Sequence, residues 1–147
     1  MVRGRFSREF TRMDANQDRK MRQVLLLDDN AAQLMVRELV LRRAGFECHV
    51  ATNAPGALAL LRTDAGKDKI GVVITDHFMP GMDGVEFVRQ LRSFNPELPA
   101  IVISGLPDAE EEYQGLQVIF RVKPCDPDDL IALVKNVLDE APHRASA

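Results

Sequence analysis

The segments Val24-Leu25-Leu26-Leu27-Asp28-Asp29 and Val72-Val73-Ile74-Thr75-Asp76 share one form, a short apolar run that ends in acid. Two further runs end on other polar groups, Ile101-Val102-Ile103 on Ser104 and Val118-Ile119-Phe120-Arg121-Val122 on Lys123. Short runs of Val, Ile and Leu predict strands buried on both faces, as in parallel sheets. Open parallel sheets bind ligands just beyond the carboxyl ends of their strands. Asp28, Asp29, Asp76, Ser104 and Lys123 are therefore predicted to converge on one crevice. Three carboxylates, a hydroxyl and an ammonium suit a divalent cation and a phosphoryl group.

Working outward, strands at about 23–27, 47–51, 72–75, 100–103 and 118–122 alternate with helical segments. A helix at about 31–44 has Val36, Val40 and Ala44 on one face and Gly45 placed to end it. A second, at about 55–62, begins at Pro55, where a missing N–H costs little. Pro80-Gly81-Met82-Asp83-Gly84 is a turn by composition and leads into a helix at about 85–93 with Val85, Val88 and Leu91 inward. In the last helix Asp126 is the cap, Pro127 takes the first position, and Leu130, Leu133, Val134, Val137 and Leu138 form one apolar stripe. Alternating strands and helices predict right-handed crossovers and an α/β fold with a parallel sheet.

Composition fits one soluble domain: 147 residues, 46% apolar and 28% charged, with no apolar stretch long enough to span a membrane and no secretory signal. Cys48 and Cys125 lack metal-ligand spacing and read as reduced thiols of a cytoplasmic protein. Residues 1–22 carry seven basic and three acidic side chains, so the net charge of −3 divides into +4 for this head and −7 for the remainder. So acidic a body excludes direct DNA binding by its own field. The head is expected to be a flexible extension, with Phe6, Phe10 and Met13 spaced as one face of a short helix. The divisions are thus 1–22 for the extension, 23–140 for the domain and 141–147 for a C-terminal tail, with no segment after Lys123 long enough for a second domain.

Four motifs, Leu27-Asp28-Asp29-Asn30, Thr75-Asp76-His77-Phe78-Met79-Pro80-Gly81-Met82-Asp83-Gly84, Val102-Ile103-Ser104-Gly105 and Val122-Lys123-Pro124, occur in that order, each at a strand end. Over about residues 23–139 the chain resembles the receiver domain of two-component response regulators, the CheY-like superfamily. The resemblance implies a flavodoxin-like, doubly wound, five-stranded sheet of order 2-1-3-4-5. It implies that Asp76 accepts a phosphoryl group from a phosphohistidine on a sensor histidine kinase or histidine phosphotransfer protein. It makes Ser104 the switch hydroxyl, Phe120 the aromatic that follows it, and Lys123–Pro124 a cis peptide.

The residues support that chemistry directly. At an effective dielectric of about 20, two like charges about 4 Å apart repel by about 4 kcal/mol. Clustered Asp28, Asp29 and Asp76 therefore need a counter-ion, and hard oxygen ligands favour Mg²⁺, with Mn²⁺ as a substitute. The expected set is Asp29, Asp76 and the Phe78 backbone carbonyl, with Asp28 mostly through water. An aspartyl nucleophile forms a covalent phosphate, and Lys123 and the cation neutralise the charge that develops.

The chain departs from the pattern in places. The stretch 105–117 is short for the family, with a helical part of only about 108–114, so the dimer face that many receivers build there does not carry over, and a homodimer is left open. Glu110-Glu111-Glu112 is expected to be a solvated acidic face. His77 beside the phosphosite is expected to be an exposed loop histidine.

The reading is a stand-alone, single-domain response regulator that signals to an unidentified protein target or relays the phosphoryl group onward, and is not a turnover enzyme. One rival is a receiver-like module that docks without phosphorylation, against which the intact Asp76, Ser104 and Lys123 speak. The other is an aspartyl-nucleophile phosphohydrolase. The haloacid dehalogenase type needs an Asp two residues after the first, where this chain has Phe78.

Overall fold

The structure, a computed structural model, describes residues 22–146, with side chains through Glu140. The basic head and its Phe6, Phe10 and Met13 stripe lie outside these residues apart from Arg22, whose Nη1 is 3.1 Å from Asp139 Oδ1.

Five strands, β1 (Gln23–Leu27), β2 (Cys48–Ala51), β3 (Ile70–Asp76), β4 (Ala100–Ser104) and β5 (Ile119–Val122), form a parallel sheet of order β2-β1-β3-β4-β5. This is the expected flavodoxin-like topology. Strand residues alternate between faces, and each face has its own core. Leu25, Leu27, Val73, Ala100 and Val102 meet α2 (Ala54–Arg62) and α4 (Gly84–Phe94), while Val24, Leu26, Val72, Ile74, Ile101 and Ile103 meet α1 (Ala31–Arg43) and α5 (Pro127–Ser146). Val85, Val88 and Leu91 are buried as expected, joined by Phe87.

Caps explain where the helices start. Asn30, Asn53 and Asp83 each accept a backbone N–H in the first turn of α1, α2 and α4, and Asp126 accepts from Asp128 N at 2.8 Å at the start of α5. Residues 141–146, set apart above as a tail, continue the backbone of α5. Thr63 caps a short helix, α3 (Asp64–Lys69), that the apolar pattern did not signal because the segment is mostly polar.

The apolar face of α1 noted in the sequence is not the one that meets the sheet. Leu34 and Leu41 are buried against the sheet, Val40 is half-buried, and Val36 and Ala44 are exposed. The two leucines, seven residues apart, take the sheet contact, and the Val36–Val40 row is left beside α5. Between β4 and β5 the chain forms only a 3-10 segment, Pro107–Tyr113, as short as expected.

Candidate phosphoacceptor site

Register brings the acidic residues together. Leu27 pairs with Thr75, and Asp76 with Ile103, so β1 and β3 end side by side and their terminal carboxylates face one crevice. Asp28, Asp29 and Asp76 each offer an oxygen, all within 4.8 Å of one another. Asp28 is fully buried, Asp76 nearly so, and Asp29 exposed. Just after β5, Lys123 places Nζ 3.0 Å from Asp76 Oδ1 and 3.1 Å from Oδ2. Backbone pairing of Lys123 N with Ser104 O at 2.7 Å holds this strand end in place. The Lys123–Pro124 peptide is cis.

The electrostatics follow from burial. The Asp28 carboxyl is pushed above the usual carboxylate range, first by its burial and then by the charge of Asp76, against the opposing pull of the Asn30 N–H, Arg37 and Lys123. Asp76 Oδ1 is buried and accepts no aligned hydrogen bond, although Lys123 is close. Clustered carboxylate oxygens with one left unsatisfied fit a hard divalent cation.

The two expected switch residues have other partners. Ser104 is buried at the end of β4, and its Oγ accepts from Leu106 N at 2.9 Å and donates to Leu106 O at 3.3 Å. Phe120 is turned inward, its ring 5.9 Å from that of Tyr113. Phe78 and Leu106, by contrast, are 76% and 60% exposed.

His77 is a correction. It is buried rather than exposed, with Nδ1 2.8 Å from the Tyr113 hydroxyl and Nε2 3.6 Å from Glu112 Oε2. The 3-10 segment folds over the start of the β3–α4 loop and covers the ring. Arg37, Tyr113 and Gln33 were not anticipated at the site. Arg37 Nη1 lies 3.1 Å from Asp28 Oδ2 and Nη2 3.6 Å from Asp76 Oδ1, and Gln33 Oε1 accepts from Lys123 Nζ at 3.3 Å. Arg37 had a signal: it lies three residues after Leu34 and four before Leu41, on the inward face of α1, where a charge needs a buried partner.

Known proteins share this fold. The response regulator receiver domain family matches residues 24–135. The Pseudomonas aeruginosa C4-dicarboxylate transport transcriptional regulatory protein DctD is 35% identical over 120 residues, covering 80% of this chain and 25% of that protein. A response regulator receiver protein of Pseudomonas putida is 31% identical with a TM-score of 0.68, over 79% of this chain and 97% of that one. A receiver domain protein from Methanospirillum hungatei superposes with a TM-score of 0.76 at 23% identity, over 84% of this chain and 98% of that one, a likeness of fold alone. The chain spans about a quarter to about half of the length of the curated relatives it matches. Receiver domains of this kind accept phosphoryl groups from histidine kinases and generally bind Mg²⁺. This chain belongs to the response regulator receiver domain family.

Proposed function

We propose that Asp76 accepts a phosphoryl group from a phosphohistidine on a sensor histidine kinase or histidine phosphotransfer protein. The observation that carries this reading is Asp76 itself, a strand-end carboxylate with Lys123 Nζ at 3.0 Å and two further carboxylates alongside. An Asp76 oxygen forms the new O–P bond as the P–N bond breaks, and the donor imidazole keeps the electron pair. Lys123 is placed to neutralise charge gathering on the transferred oxygens. Asp29, Asp76 and the Phe78 carbonyl would hold Mg²⁺ or Mn²⁺, with Asp28 behind them. When bound, the cation supplies the remaining charge neutralisation.

Ser104 then turns from Leu106 to hydrogen-bond a phosphoryl oxygen, and Phe120 follows it. The phosphorylated domain acts in the cytoplasm by altered protein binding or onward relay, and itself makes no DNA contact and carries out no enzymatic turnover.

The test is incubation with Mg²⁺ and acetyl phosphate, followed by mapping of the modified residue. Label is expected on Asp76 and lost in Asp76→Asn and, at millimolar Mg²⁺, in Asp29→Ala. Undiminished labelling of Asp76→Asn would sink the assignment.

A further inference from the structure

A second cation already sits among the carboxylates. Arg37 is on α1, and its side chain keeps only 14% exposure. Among the described residues it is the cation that contacts both Asp28 and Asp76, whereas Lys123 contacts Asp76. The oxygens concerned matter. Asp28 Oδ1 is committed to the Asn30 N–H at 2.9 Å, so Oδ2 is the oxygen left for a cation, and Arg37 holds it at 3.1 Å. At Asp76, Arg37 approaches Oδ1, the buried oxygen that has no aligned hydrogen bond. A guanidinium has planar, forked donors, and here its two terminal nitrogens face two different carboxylates.

We propose that Arg37 is the resident counter-cation of the metal-free domain, pairing with Asp28 and with the Asp76 carboxylate that would also hold a divalent cation, so that competition with Arg37 sets the affinity for Mg²⁺. This rests on the metal reading given under the proposed function. Two carboxylates this close, one of them fully buried, need a positive partner whenever no metal is bound. A second positive charge in the same space repels a divalent ion, so entry requires the guanidinium to leave. It has somewhere to go. Arg37 borders an open apolar groove lined by Val36, Val40, Pro124 and Leu130, where its aliphatic stem can lie while the charged end reaches water.

The competition makes two linked statements. Removing the guanidinium tightens Mg²⁺ binding, and it destabilises the domain when Mg²⁺ is withheld. Titration calorimetry with MgCl₂ on the full chain, wild type against Arg37→Gln and Arg37→Lys, measures the first. Thermal unfolding of the same proteins in EDTA and in saturating Mg²⁺ measures the second.

Arg37→Gln is expected to bind Mg²⁺ about tenfold more tightly, equivalent to about 1.4 kcal/mol. Its melting point in EDTA should fall by about 5 °C and recover more on metal addition than that of wild type. Arg37→Lys, charged but without the fork, should lie between, and it keeps the comparison available if the Gln variant does not fold. Equal or weaker Mg²⁺ affinity in both variants, or unchanged melting in EDTA, would overturn the competition. Absence of Mg²⁺ binding in all three proteins would overturn the metal reading, and the competition with it.

Discussion

The Nδ1 atom of His77 lies 2.8 Å from the hydroxyl of Tyr113, and the two rings meet edge-on with centroids 5.6 Å apart. The pair joins the residue after Asp76 to the 3-10 segment that carries Glu110–Glu112. Burial pushes the Tyr113 phenol well above its ordinary range, so it stays protonated and is available to donate. In the tautomer whose Nδ1 accepts from that hydroxyl, the ring N–H is on Nε2, facing Glu112. The neighbouring backbone is equally tight. A Cβ on Gly84 would run into the Tyr113 hydroxyl and the Asp76 carbonyl, so glycine is required there by space.

This pair should be measurable as a coupling. Tyr113→Phe keeps the ring and removes the hydroxyl, stranding a buried nitrogen, and is expected to cost about 1–3 kcal/mol. Adding His77→Leu should cost far less than it does in wild type, because both polar partners are then gone. A double-mutant cycle on urea unfolding should return a coupling of about 1 kcal/mol or more. Additive losses would show that the bond contributes nothing.

Two of the site features that the sequence analysis placed wrongly or missed, His77 and Arg37, have one physical cause. Strand-end positions are legible because an apolar run announces the strand and the next residue must emerge at its carboxyl end. That is why Asp28, Asp29, Asp76, Ser104 and Lys123 were assigned their places from pattern alone. His77 was not, since its burial comes from Tyr113, thirty-six residues on, in a segment whose composition reads as an acidic surface. The inward face of α1 was not legible because Val36, Val40 and Ala44 form as regular a row as Leu34 and Leu41. Only tertiary packing chooses between the two rows.

The Val36–Val40 row has its own consequence. Val36 is 58% exposed, and with Val40, Pro124 and Leu130 it lines a groove that also includes Lys123 of the phosphosite. A protein that carries a phosphohistidine to Asp76 must cover surface next to it, and this apolar wall is the adjoining surface. Val36→Glu, a change at an exposed position, should leave stability within about 0.5 kcal/mol. It should slow phosphotransfer from the cognate kinase about tenfold while leaving labelling by acetyl phosphate unchanged. Equal kinase-dependent rates would place donor docking elsewhere.

The cysteines predict an alkaline limit on stability. Cys48 is buried at the start of β2, and burial pushes its thiol up to about 11. In the unfolded chain the thiol ionises near its ordinary value of 9.0. Below that pH both states hold the proton and stability is full. Between pH 9 and 11 the unfolded state releases it and the folded state does not, so stability falls as pH rises. The loss from this group is on the order of 2 kcal/mol by pH 11. Tyr113, also raised by burial, acts in the same direction at higher pH. Urea midpoints measured from pH 8 to 10.5 should drop in wild type and drop less in Cys48→Ala. Parallel curves would remove Cys48 as the cause. At pH 8 a thiol reagent should label the half-buried Cys125 well before Cys48.

Hydrolysis of the aspartyl phosphate needs a water in line with phosphorus, on the side opposite the Asp76 oxygen. Phe78, two residues after Asp76, and Leu106, two after Ser104, are the side chains expected to border that approach. Both project from their loops, at 76% and 60% exposure, so their bulk is free to fold over a phosphoryl group. Leu106 is also fixed through its backbone, whose N–H donates to Ser104 Oγ at 2.9 Å. Any turn of that hydroxyl toward the phosphoryl group releases this bond, so Leu106 can move as the switch does. Neither side chain can orient a water by hydrogen bonding, and the phosphoryl group should therefore persist. Phe78→Asn with Leu106→Glu adds polar groups and opens the path, and is expected to speed hydrolysis at least tenfold, about 1.4 kcal/mol off the barrier. The comparison is the dephosphorylation rate of wild type and double variant in Mg²⁺ without kinase or phosphatase. Equal rates, or a slower variant, would mean that these two side chains do not control the water.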